Sequence, residues 1–151
     1  MHQKFIAEVH FGKLAKNLRL SGFDTVYQNH YTNDQLQTIA LAEGRVLLSR
    51  NKAFASKDFS FLAIYSEKPI EQLKQVLQAF ELINKLQPFS RCLLCNGLLS
   101  PVAKEKVLEK ILPNTIAYYQ DFWQFNHCSQ VYWKGSHYQR MMRFIEGLST
   151  A

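Results

Sequence analysis

Lys4-Phe5-Ile6-Ala7-Glu8-Val9, followed at once by Phe11, Leu14 and Leu18 at helical spacing and a stop at Gly22, reads as a strand running into a helix. The same order then recurs. Asp24-Thr-Val-Tyr-Gln28 is strand-like, and Thr32 or Asn33 can cap a helix that carries Leu36, Ile39 and Ala40 on one face and ends at Gly44. Arg45-Val-Leu-Leu-Ser49 and Phe61-Leu-Ala-Ile-Tyr65 are short apolar runs of the kind buried on both faces of a sheet. Pro69 opens a further helix, with Ile70, Leu73, Leu77, Phe80 and Ile83 inward. Parallel strands need crossover connections, so this alternation predicts an α/β fold, a parallel sheet with helices on both sides.

That pattern stops near Pro88. We read residues 1–88 as the α/β domain and 89–151 as a smaller subdomain with a C-terminal helix. In the second part, Val102 to Leu112 is expected to be helical with Pro113 as a breaker. Ser136 to Leu148 is expected to form the last helix, with Tyr138, Met141, Met142 and Ile145 inward and Arg140 and Arg143 outward. Cys92-Leu-Leu-Cys95 is half of a tetrahedral zinc site. The other half falls on Phe125-Asn-His127-Cys128, where phenylalanine stands in the place of a fourth thiol. His127 is the nearest substitute ligand, and water is another.

With 151 residues and 47% hydrophobic content, the chain can bury a real core. Its apolar runs are much shorter than the roughly 20 residues that cross a bilayer. The first residues lack the pattern of a signal peptide, and three cysteines do not make a disulfide framework, so a soluble cytoplasmic protein without a membrane partner is expected. A net charge of +6 and a pI near 9.3 suit a polyanionic partner, although charge of this size also serves solubility.

Ligands of open α/β sheets collect beyond the carboxyl ends of the strands. Glu8 ends the first strand, Asn51 follows the third, and Asp34 begins the second helix. Together they offer oxygen ligands for Mg²⁺ or Mn²⁺, which can activate a water against a phosphodiester. Each also has an ordinary explanation: a surface acid, a turn former and a helix-start charge. Lys13, Lys16 and Arg19 recur every third residue on a helix face away from Phe11, Leu14 and Leu18, where phosphates would approach. Tyr132-Trp133-Lys134-Gly-Ser-His137 mixes aromatic faces with cations, which suits unpaired bases or, equally, a structural turn.

Taken in order, Phe5-Ile-Ala-Glu8, Gly12-Lys-Leu-Ala-Lys-Asn-Leu-Arg19-Leu-Ser-Gly-Phe-Asp24-Thr25, Asp34 and Glu43-Gly-Arg-Val-Leu-Leu-Ser-Arg50-Asn51 resemble the Mut-seven C-terminal ribonuclease domain family, a PIN-like group. Phe89-Ser-Arg91-Cys92-Leu-Leu-Cys95-Asn96, Phe122, Cys128 and Val131-Tyr-Trp-Lys-Gly-Ser-His137 continue the resemblance through the second half. It implies a PIN-like α/β domain of a metal-dependent ribonuclease followed by a zinc ribbon. The family's acids fall on Glu8, usually aspartate, on Asp34, and on Asn51, the acid of a Thr-Arg-Asp motif; its ribbon cysteines fall on 92, 95, 125 and 128. This chain departs at Glu8, Asn51 and Phe125.

Three functions follow as expectations. The first is an RNA-directed, divalent-metal-dependent ribonuclease with a weakened acidic site. In it Glu8, Asp34 and Asn51 act at the metal, Lys13, Lys16, Arg19 and Arg50 hold the RNA backbone with Trp133, Lys134 and His137, and zinc sits on Cys92, Cys95, Cys128 and His127. The second is a non-catalytic RNA-binding module derived from such an enzyme. The third is a protein-interaction adaptor built on the ribbon.

Overall fold

The computed structural model describes residues 3–56 and 58–150. Met1 and His2, at the head of the segment read above as leaderless, lie outside the described residues. The first half follows the order β1 (Phe5–Ala7), α1 (Gly12–Leu20), β2 (Thr25–Val26), α2 (Asn33–Glu43), β3 (Val46–Ser49), β4 (Phe61–Ala63) and α3 (Pro69–Ala79). All strand pairings here are parallel, in the order β2-β1-β3-β4.

Side chains alternate across a strand, and the alternation sorts the core into two layers. Phe5, Ala7, Val46 and Leu48 pack with Leu14 and Leu18 of α1 and Leu73, Val76 and Leu77 of α3. Ile6 and Leu47 turn the other way, onto Leu36 and Ala40 of α2 and onto Phe54. The α2 boundaries are written locally: Thr32 and Gln35 form a reciprocal capping box, and Gly44 closes the helix at φ 64°.

The second half builds an antiparallel sheet from β5 (Leu99–Val102), β6 (Phe122–Phe125) and β7 (Val131–Tyr132), with α4 (Pro113–Tyr118) inserted before β6. Its small core is Val107, Ile111 and Phe122, with Trp133 and Tyr119 packed against it. The last helix, α5 (Ser136–Thr150), does not stay with this sheet. Its Met141, Ile145 and Leu148 join Phe5, Leu14 and Leu73 in the core of the first half. At the junction Gly22, at φ +100°, is pressed so close to Gln87 that a Cβ would lie 2.4 Å from the Gln87 carbonyl oxygen.

Several local expectations are corrected. β4 is only half-buried, because it is the sheet edge. Ile70 and Ile83 are exposed: Ile70 lies in the first turn of α3, and α3 ends at Ala79, so Ile83 falls off its stripe into a 3₁₀ turn. No single helix spans 102–112; Lys104–Lys106 and Leu108–Lys110 form two short 3₁₀ turns. Pro113 begins α4 instead of breaking a helix, since a first-turn residue has no intrahelical use for an N–H. Met142 is half-buried beside the buried Met141.

Candidate acidic and cysteine sites

Strand order reverses between β1 and β3, so the crevice at their carboxyl ends is the switch point of the sheet. Glu8 stands there, its N–H donating to the Leu48 carbonyl at 3.1 Å. Its side chain is only 12% exposed and fully engaged. One oxygen accepts from the His10 backbone N–H at 3.0 Å and touches His10 Nδ1, and the other accepts from Ser49 Oγ at 3.1 Å. Ser49 Oγ in turn accepts from the Asn51 N–H at 3.1 Å, which links two of the sequence-derived positions through a hydroxyl.

Asn51 uses its side-chain oxygen to accept from the Ala53 N–H at 3.1 Å, at the start of the 3₁₀ turn Lys52–Ser56. Asp34 is exposed in the first turn of α2. Among the described residues, Cys92, Cys95 and Cys128 are the one group of three or more His, Cys, Asp or Glu whose ligand atoms all lie within 4.8 Å of each other. His10 and Ser49 were not picked out from sequence. Ser49 had a signal, as the polar end of an apolar run, and it is wholly buried.

Along α1, Lys13 and Lys16 are exposed, but Arg19 is a correction to the outward basic face, being 7% exposed. The α1 surface it occupies is covered by the second half of the chain. Its Nε donates to the Thr25 carbonyl at 2.9 Å and a terminal nitrogen to the Leu93 carbonyl at 2.8 Å. Burial lowers its pKa, against the opposing influence of Cys92, Cys95 and Asp24. Arg50 is exposed, its guanidinium 5.3 Å over the Phe11 ring.

Cys92, Cys95 and Cys128 do converge, with the Cys92 and Cys128 sulfurs 3.7 Å apart. Sulfurs bound to one tetrahedral ion at about 2.3 Å are spaced by about 3.8 Å, so this separation suits zinc. The knuckle is formed by backbone: Leu94 and Gly97 N–H groups donate to the Cys92 and Cys95 sulfurs, each at 3.4 Å, and Asn96 turns the chain at φ +65°. Burial pushes the Cys92 thiol up to about 11. Burial acts the same way on Cys95, but the Gly97 N–H and the neighbouring Cys128 and Cys92 sulfurs outweigh it and shift that thiol downward.

Phe125 is buried and packs edge-on against Tyr132 at 4.8 Å, so it fills space where the pattern has a thiol. His127 is exposed and outside the three-sulfur group; its ring lies over Gly97, where a Cβ would come within 2.9 Å of it. Three soft donors in this geometry fit a metal ion such as zinc, with the fourth position not supplied by Phe125.

Asn96 ties the knuckle to the amino ends of the parallel strands. Its amide donates to Asp24 Oδ1 at 2.7 Å and accepts from the Thr25 N–H at 3.0 Å. Arg45 donates to the same Asp24 oxygen at 2.8 Å, and Arg91 approaches the other at 3.9 Å. Burial works against the charge on Asp24, but the Arg45 and Asn96 hydrogen bonds and the Arg45 and Arg91 charges overcome it and hold its carboxyl below the ordinary range. In the loop after β7, Trp133 packs on Phe122, Lys134 lies 5.3 Å over the Trp123 ring, and His137 is exposed.

A four-stranded parallel sheet with an acid at its switch point, joined to a small antiparallel sheet whose flanking loops carry the cysteines, is the architecture expected of a PIN-like, ribonuclease-type family. The chain belongs to the Mut7-C RNAse domain family, whose model matches residues 3–145. No curated protein and no solved structure matches the chain significantly. Among the described residues no helix is long and apolar enough to cross a membrane.

Proposed function

We propose that this protein is an RNA-directed, divalent-metal-dependent ribonuclease whose acidic site is weakened. The observation that carries the reading is Glu8, a nearly buried carboxylate at the sheet's switch point, oriented by Ser49. Glu8 and Asp34 would hold Mg²⁺ or Mn²⁺ with help from Asn51; the donor types fit a hard cation, one anionic ligand short of the family pattern. Such an ion supplies an activated water and charge neutralisation for phosphodiester hydrolysis. Ser49 keeps the Glu8 carboxylate aimed into the crevice, and Lys13, Lys16 and Arg50 hold the RNA backbone, assisted by Trp133, Lys134 and His137. Arg19, being buried, positions the knuckle instead. Zinc on Cys92, Cys95 and Cys128, with His127 or water as fourth ligand, would stabilise a ribbon within the subdomain of residues 89–151, whose last helix packs back onto the α/β domain of residues 1–88. Reduced thiols suit a cytoplasmic setting. Mn²⁺-supported cleavage of unstructured RNA should appear in the wild type and vanish in Glu8→Gln; equal silence of both on several RNAs ends the enzyme reading.

A second reading, a non-catalytic RNA-binding module, is favoured by one observation: the Asn51 oxygen is already spent on the Ala53 N–H. Salt-sensitive RNA binding without cleavage in Mn²⁺ supports it.

A further inference from the structure

We infer that Leu93 and Leu94, the two residues between Cys92 and Cys95, form the far wall of a groove that binds single-stranded RNA along α1; this rests on the RNA-directed reading above. A groove of about 460 Å³ runs between α1 and the knuckle, lined by Gly12, Lys13, Lys16, Tyr27, Leu93 and Leu94 among others. Its near end is marked by Gly12 and by Tyr27, whose hydroxyl donates to the carbonyl of Val9, the residue after Glu8.

Its lining is one-signed. Lys13 and Lys16 contribute exposed cations, Arg19 lies buried beneath them, and no carboxylate lines it. Opposite the lysines, Leu94 is 67% exposed at the tip of the knuckle, an apolar side chain that burial within this chain does not explain. The wall is also rigid. Arg19 holds the Leu93 carbonyl at 2.8 Å, Asn96 clamps Asp24 and Thr25, and sulfurs on either side of the two leucines converge on one point. A groove with lysines on one side and apolar side chains on the other matches a strand that presents phosphates along one edge and unstacked base faces along the other. A duplex hides those faces and has no use for the leucines.

The test is fluorescence anisotropy of the full chain with labelled oligouridylate, and with a hairpin duplex, in EDTA-free buffer lacking divalent cations. Leu94→Asn should weaken oligouridylate binding about fivefold or more while leaving the salt slope unchanged. Lys13→Gln with Lys16→Gln should lower the slope of log K against log salt by about 1.4. Leu94→Trp, which adds a stacking surface, should tighten binding and guards against a folding artefact in the asparagine variant. If both Leu94 variants bind as wild type while the lysine variant is weak, the leucine wall is overturned and the RNA reading stands. Equal binding of the duplex also overturns the wall. If the wild type binds neither probe at low salt, both the wall and the RNA reading fall.

Discussion

The two sites of this molecule both depart from their family pattern, yet they are built in different ways. At the knuckle three sulfurs have come together despite Phe125; at the strand ends Glu8 and Asn51 are linked through Ser49, and Asp34 is exposed on α2. The difference lies in how each is encoded. Two of the three cysteines sit on one tight turn whose own N–H groups point at the sulfurs, so local backbone builds most of the site. Glu8, Asp34 and Asn51 come from three separate segments, and the Glu8 and Asn51 oxygens accept from local donors: His10 and Ser49 for Glu8, Ala53 for Asn51.

The largest expected effect breaks the favoured side of this contrast. If the wild type carries one zinc per chain by elemental analysis, Cys92→Ala should carry none, because Cys92 is the buried thiol of the three. Next, Phe125→Cys should destabilise the metal-free protein by about 3 kcal/mol through the lost ring, and recover stability when zinc is added; titration melts with and without zinc measure both. If added zinc leaves the variant's melting temperature unmoved, position 125 does not face the metal. On the other side, Asn51→Asp restores a charge without disturbing the fold, since aspartate can still accept from the Ala53 N–H. Mn²⁺-supported RNA cleavage should rise about tenfold or more over wild type, measured at single turnover. The smallest effect concerns the clamp between the two regions. The Asp24 carboxyl is held below its unfolded value of about 3.9, so its stabilisation is complete above that pH and is lost as pH falls through the lowered folded value. Asp24→Asn should flatten this acid limb of the stability curve in urea titrations below about pH 4.

Much of the α/β half was legible because its rules are local. Strand periodicity, the Thr32 cap and Gly44 each state their role within a few residues, and the structure carries all three. Ile70 and Ile83 misled because a periodic stripe does not reveal where a helix starts and stops being covered. Arg19 looked like one more exposed cation because its acceptor, the Leu93 carbonyl, lies 74 residues away in sequence. For the same reason Asp24, Arg45 and Asn96 were quoted only as matching letters, whereas the structure joins them into one network. At the candidate sites, the Cys-x-x-Cys spacing announced the knuckle, while nothing in the sequence announces that Ser49 couples Glu8 to Asn51.

The route of the last helix has a consequence for how the chain folds. Met141, Ile145 and Leu148 complete the apolar layer begun by Phe5 and Leu14, so contacts that close the first core span nearly the whole length of the polypeptide. Such long-range closure slows folding. During synthesis part of the apolar layer built by α1 and α3 stays uncovered until α5 emerges, an interval in which chaperone capture or self-association competes with docking of that helix.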